Sequence, residues 1–111
     1  MKILAIYETD DGKKPYQIWL GRLKDKMIIA RIMNRLERIK EENFGDTKSV
    51  GKGVHELRFH FGSGYRIYYG LDGENLIILL IGGDKSDQER DIKFAHQYWE
   101  KYLKRVLHEK N

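Results

Sequence analysis

Hydrophobic and polar positions along the chain change period at glycine, proline and aspartate, and each change predicts an element. KILAIY alternates weakly and stops at ETDDGKKP, which predicts a first strand and a turn. Pro15 suits the first turn of a short helix, PYQIWLGRL, in which Tyr16, Trp19, Leu20 and Leu23 fall at helical spacing. Gly21 and Asp25 mark the step to a longer helix from Lys26 to Glu42. There Ile29, Ile32, Met33, Leu36 and Ile39 form an apolar stripe, with Arg31, Arg35, Arg38 and Glu42 outside it.

NFGDTKSVGKG breaks the helical period, and three strand-like runs follow: VHELRFHF, YRIYYG and NLIILLIGG. The first two alternate, as half-buried strands do. The third is apolar on both faces, as a central strand covered on both sides is. LDGEN supplies an Asp-Gly turn before it. The closing stretch has Ser86 and Glu89 in capping-box spacing, then Ile92, Ala95, Trp99, Tyr102 and Val106 in near-heptad register. Lys101, Lys104 and Arg105 complement the end of that helix. The order β-α-α-β-β-β-α predicts an α+β fold: a mainly antiparallel twisted sheet with two N-terminal helices and a C-terminal helix. At this length residues 1–111 are expected to form a single domain.

The hairpin at ELRFHFGSGYRIYYG holds the candidate chemistry. A three-residue loop, Gly62-Ser63-Gly64, pairs Phe61 with Tyr65, Phe59 with Ile67 and Leu57 with Tyr69, all on one side. Gly64 then takes the left-handed position of a bulge. The other face carries Glu56, Arg58, His60, Arg66 and Tyr68, with His60 opposite Arg66 and Arg58 opposite Tyr68. Arginine forks match the oxygens of a phosphodiester, whose charge grows in its transition state, and histidine moves a proton without a metal. An outward strand face filled with ordinary polar residues has the same composition.

Composition narrows the classes further. With no cysteine, disulfides, thiolate metal sites and thiol nucleophiles are excluded. The apolar run after Met1 is too short for a signal-peptide core, LIILLIGG is too short to span a bilayer, and the protein reads as cytoplasmic, without a membrane partner. The net charge of +4 permits an anionic partner, and its distribution says where. Residues 47–70 hold Lys48, Lys52, Arg58 and Arg66 against Glu56 alone, whereas residues 25–46 balance five basic side chains with five acidic ones. Lys85, after the apolar strand, is placed to approach the hairpin face. Asp84, Asp87 and Asp91 with Ser86 read as helix caps and lack the clustered spacing of a metal site. His96 is expected at the surface, and Tyr98, Trp99 and Tyr102 as core and rim aromatics.

ELRFHFGSGYRIYYG, LIILLIGGDKSDQERDI and AHQYW resemble the RelE/ParE superfamily of toxins from type II toxin-antitoxin modules, in the branch called addiction module killer proteins, related to HigB-like and phage-derived toxins. The resemblance covers most of the chain and is strongest from residue 54 to 99. It implies a RelE-like fold and a ribosome-dependent mRNA endonuclease, or mRNA interferase, that inhibits translation. The partners it implies are the ribosome, mRNA and a cognate antitoxin of the helix-turn-helix type. The implied chemistry is attack of a ribose 2′-OH on the adjacent phosphate, with no metal and no cofactor. Arg66 in GYR matches the hairpin arginine that stabilises the pentavalent phosphate, Arg58 is expected to hold the backbone, and Lys85 to stabilise the leaving group. His60 is assigned as proton shuttle from its face. Lys48, Lys52 and Tyr68 are expected to bind RNA. The hairpin has few lysines, and the last helix lacks the tyrosine or histidine placement of some ribonuclease members. Two alternatives therefore stay open: a ParE-like DNA gyrase inhibitor, and a noncatalytic RNA-binding regulatory protein.

Overall fold

The structure, a computed structural model, describes residues 1–109. β1 (Ile3–Ile6) leads to α1 (Pro15–Arg22) and α2 (Lys26–Lys40); β2 (Thr47–Ser49), β3 (Val54–Arg58), β4 (Arg66–Asp72) and β5 (Leu76–Gly83) follow. A 3₁₀ turn, Lys85–Asp87, opens into α3 (Gln88–Glu109). The sheet order is β1-β5-β4-β3-β2, with β1 parallel to β5 and every other pairing antiparallel. This is an α+β architecture with a mostly antiparallel five-stranded sheet. Among the described residues no helix is long and apolar enough to cross a membrane.

Helices cover the sheet on both faces. On one, Tyr16 of α1 and Ile32, Leu36 and Ile39 of α2 pack with Leu57, Phe59, Ile67, Tyr69, Ile77 and Leu79. On the other, Ala95 and Trp99 of α3 pack with Tyr7, Val54, Tyr68, Ile78 and Leu80. β5 feeds both clusters by alternation, which explains its unbroken apolar run. Asp25 caps α2, its carboxylate accepting from the backbone N–H of Met27 at 2.9 Å and of Ile28 at 3.4 Å. That helix ends two residues short of the expected Glu42, which sits at φ 68° in the turn beyond. Met33 lies on the margin of the stripe and is 44% exposed.

Further sequence expectations change. β2 lies inside the stretch expected to be irregular; three residues, TKS, are too few to display a period. The hairpin register is slipped by two places: Leu57 faces Ile67 and Arg58 faces Arg66. Phe59 N–H donates to Tyr65 O at 3.0 Å, so the loop spans residues 60–64. Gly62 and Gly64 both take left-handed φ, 60° and 76°, which lets five residues close where three were expected. Asp84, not Ser86, caps the start of the last helical segment, its Oδ1 accepting from Ser86 N–H at 3.1 Å and Ser86 Oγ at 2.6 Å. Asp91 is no cap either. It is buried with Oδ2 against Gly83, where a Cβ would stand 1.9 Å away.

Candidate active site

The antiparallel registers set Asp46, Arg58, Arg66 and Gly83 in one row across β2 to β5, the first contact being Arg58 N–H to Asp46 O at 3.0 Å. One row inward stand Lys48, Glu56, Tyr68 and Ile81. α3 begins above this inner row and roofs its middle. The polar face read from the alternation is therefore buried at Glu56 and Tyr68 and open only beyond them.

Under that roof Glu56 has no exposed surface. Its Oε2 accepts from Tyr68 Oη at 3.1 Å and Gln88 Nε2 at 2.7 Å, and the Nε of Arg66 lies 3.6 Å away. Burial and the neighbouring Glu56 carboxylate push the Tyr68 phenol up, keeping it a donor. Tyr68 was expected to contact RNA; fully buried and committed to Glu56, it meets no base and instead supports the acid that faces Arg66.

Arg66 runs from this anchor towards solvent, its side chain 11% exposed, and its Nη1 donates to Gly64 O at 3.0 Å. Together with His60, Lys85 and the Gly62–Gly64 loop it lines an open depression of about 530 Å³. Lys85 arrives because β5 runs antiparallel beside β4; its N–H donates to Ser63 O at 3.4 Å. Gly64 has no side chain to block it: a Cβ there would meet Lys85 Cβ at 3.2 Å. The Lys85 ammonium pairs with no carboxylate among the described residues.

Asp46, which the sequence reading passed over, organises the rim. Its Oδ1 accepts from Arg58 Nε at 3.3 Å and Nη2 at 3.0 Å, and its Oδ2 contacts His60 Nε2. The bonds from Arg58 and then His60 hold the Asp46 carboxyl below the usual carboxylate range. Arg58 is consequently turned along the strand row and lies outside the depression. In sequence Asp46 was only the acid of a glycine-containing break; its alignment with Arg58 depends on β2.

Arg35, expected outside the α2 stripe, is half-buried. It donates to the carbonyls of Arg58, of Phe44 at 3.1 Å and of Asp46 at 2.9 Å, and its guanidinium sits 4.8 Å from the centre of the Phe59 ring. These bonds fasten α2 to the segment that carries Asp46. Lys48 is exposed on β2, two residues from Asp46. Lys52 is exposed in the turn before β3, on the order of 20 Å from His60 by strand rise. Neither lines the depression. His96 is half-buried and bonded to Val50 O at 2.9 Å, in contrast to the surface position expected for it.

A family model described as phage derived protein Gp49-like matches residues 19–105, a span that contains every residue of the depression and its rim. An uncharacterized protein of Haemophilus influenzae is 48% identical over 80 residues, covering 72% of this chain and 81% of that protein. No solved structure matches the chain significantly.

Proposed function

The chain belongs to the Gp49-like family of phage-derived proteins, a family associated with the toxins of toxin-antitoxin modules, and from this premise we propose that it is a ribosome-dependent mRNA endonuclease of RelE/ParE type. The observation that carries the reading is the convergence of His60, Arg66 and Lys85 on one open depression at the start of α3. Three cationic or proton-transferring groups around one hollow suit a phosphodiester better than a neutral ligand.

In this mechanism the ribose 2′-oxygen attacks the adjacent phosphorus while the bond to the 5′-oxygen breaks, leaving a 2′,3′-cyclic phosphate and a 5′-hydroxyl. With Asp46 accepting the Nε2 proton of His60, Nδ1 becomes the basic nitrogen and takes the 2′-OH proton. Arg66 offers its outer donors to the equatorial oxygens of the pentavalent phosphorus. Lys85 supplies a proton to the departing 5′-oxygen. Arg58 acts through Asp46 as a positioning residue. Lys48, on the approach along β2, adds positive charge for the RNA backbone, and Lys52 does so more remotely. A cognate antitoxin would silence the protein by covering this face.

Inducing the protein in cells and mapping new mRNA 5′ ends tests the reading. Cuts inside translated frames that disappear with Arg66→Ala support it. Intact mRNA with growth arrest and DNA damage would move the protein to the gyrase-inhibitor class instead.

A further inference from the structure

On the α2 side of the hairpin lies a second hollow, about 240 Å³, lined by Arg31, Asn34, Arg35 and Arg38 of α2 and by residues 59–61 of the hairpin, Arg35 being already committed to backbone carbonyls. Arg31, Asn34 and Arg38 recur at i, i+3 and i+7, so they share one helix face and span about 10 Å along it. All three are exposed. The Arg31 guanidinium stands over the Phe61 ring, 3.9 Å from its centre, a contact that orients the group while using none of its N–H donors. Neither Arg31 nor Arg38 pairs with a carboxylate among the described residues. Asp46, the acid closest to His60, has both oxygens engaged by Arg58 and His60. His60 lines this hollow and the depression that holds Arg66 and Lys85, so the two form one continuous track around the hairpin tip.

We propose that the hollow between α2 and the hairpin is a subsite for the sugar–phosphate backbone of single-stranded RNA, gripping nucleotides next to the phosphate held at Arg66. The proposal rests on the endonuclease reading and deepens it. Charge complementarity, and continuity through His60 with the depression proposed to hold the scissile phosphate, favour a nucleic-acid strand. Arg31 and Arg38 bind phosphate oxygens, Asn34 offers an amide to the ribose or a phosphate, and the aromatic floor keeps the arginines aimed outward.

The probe is a short fluorescein-labelled 2′-O-methyl oligoribonucleotide, which has no free 2′-hydroxyl and cannot be cut by 2′-oxygen attack. Anisotropy titrations of the full chain across a salt series should show Arg31→Ala and Arg38→Ala each weakening binding on the order of tenfold. The slope of log affinity against log salt should fall by about 0.7 per substitution. Both positions are exposed, so thermal melts of the variants should superimpose on the parent's. Unchanged affinity and slope in both variants, or no saturable binding by the parent, overturns the proposal. So does intact oligonucleotide binding with loss of antitoxin binding, which would make the groove a protein-docking surface. Mapped mRNA ends separate the two readings: binding that needs Arg31 and Arg38 in a protein that cuts no mRNA keeps the groove and removes the nuclease. Cutting with unchanged binding does the reverse.

Discussion

Arg66 Nε lies 3.6 Å from Glu56 Oε2, across diagonal positions of β4 and β3, and the acid has no exposed surface. The arginine proposed to meet the phosphate is thus held from behind by a buried carboxylate. Glu56 Oε1 and Arg66 Nε each lack a hydrogen-bond partner, so the pair depends on charge more than on saturated bonding. Removing one member leaves the other uncompensated. Glu56→Gln should destabilise the protein by about 3 kcal/mol in urea unfolding, and adding Arg66→Met should recover part of that loss. Strict additivity of the two substitutions would show that the pair does not couple.

His60 is exposed over 73% of its side chain, so His60→Ala should leave stability within about 0.5 kcal/mol of the parent. In a cleavage assay on ribosome-bound mRNA the same variant should lose a factor of about 10² to 10⁴ in kcat. A fall in stability with full activity would assign His60 to the fold and not to the chemistry.

Asp46 contacts His60 and does not line the depression, so in the proposed reaction it acts through the imidazole and not on the substrate. Asp46→Asn should lower kcat and change the form of the pH–rate profile, with KM little affected, because one carboxylate oxygen becomes an NH2 donor and Arg58 and His60 compete for the single acceptor that remains. Carboxyl NMR should place Asp46 below the ordinary carboxylate range, since Arg58 and His60 bond to its charged form. The stability it contributes is present above the unfolded-state value and is lost as pH falls through the folded one. An unaltered rate profile in the variant would show that the His60 contact is incidental.

Asp91 behaves in the opposite sense. Burial raises its carboxyl, with Arg90 the main opposing influence, so the folded state holds its proton more tightly than the unfolded chain does. Stability should decline as pH rises from the ordinary carboxylate range through the raised value. Asp91→Asn removes that decline: its Tm should exceed the parent's at pH 7 and approach it at pH 4. Equal pH slopes in the two proteins would contradict the assignment.

Gly70 and Gly82 are seats for indole rings. A Cβ at Gly70 would lie 2.4 Å from Trp99, and one at Gly82 would lie 2.1 Å from Trp19. Gly70→Ala and Gly82→Ala should each cost about 1–3 kcal/mol, the range for overpacked cores, and shift tryptophan emission. Melting curves and emission spectra indistinguishable from the parent would show that the rings move aside freely.

Which residues share a side of each element is legible from the spacing of apolar positions. Period two put Arg58 and Arg66 on one face, and the observed two-place register slip preserved that assignment because parity survives an even shift; His60, which the same alternation put there, lies in the loop and reaches the rim through Asp46. The α2 stripe at Ile32, Leu36 and Ile39, the turn at Gly73 and the burial of β5 on both faces were legible for the same local reason. What stands over each face follows from contacts between elements distant in the chain. Alternation identified Glu56 and Tyr68 as polar neighbours of the arginines, but only the start of α3 at Gln88 seals them in. Asp46 meets Arg58 and His60 because β2, too short to show a period, pairs along β3. Arg35 turns inward because three backbone carbonyls converge on it. Periodicity records the side a residue takes relative to its own backbone; loop closure and layer stacking join residues far apart in the chain and leave no local repeat to read.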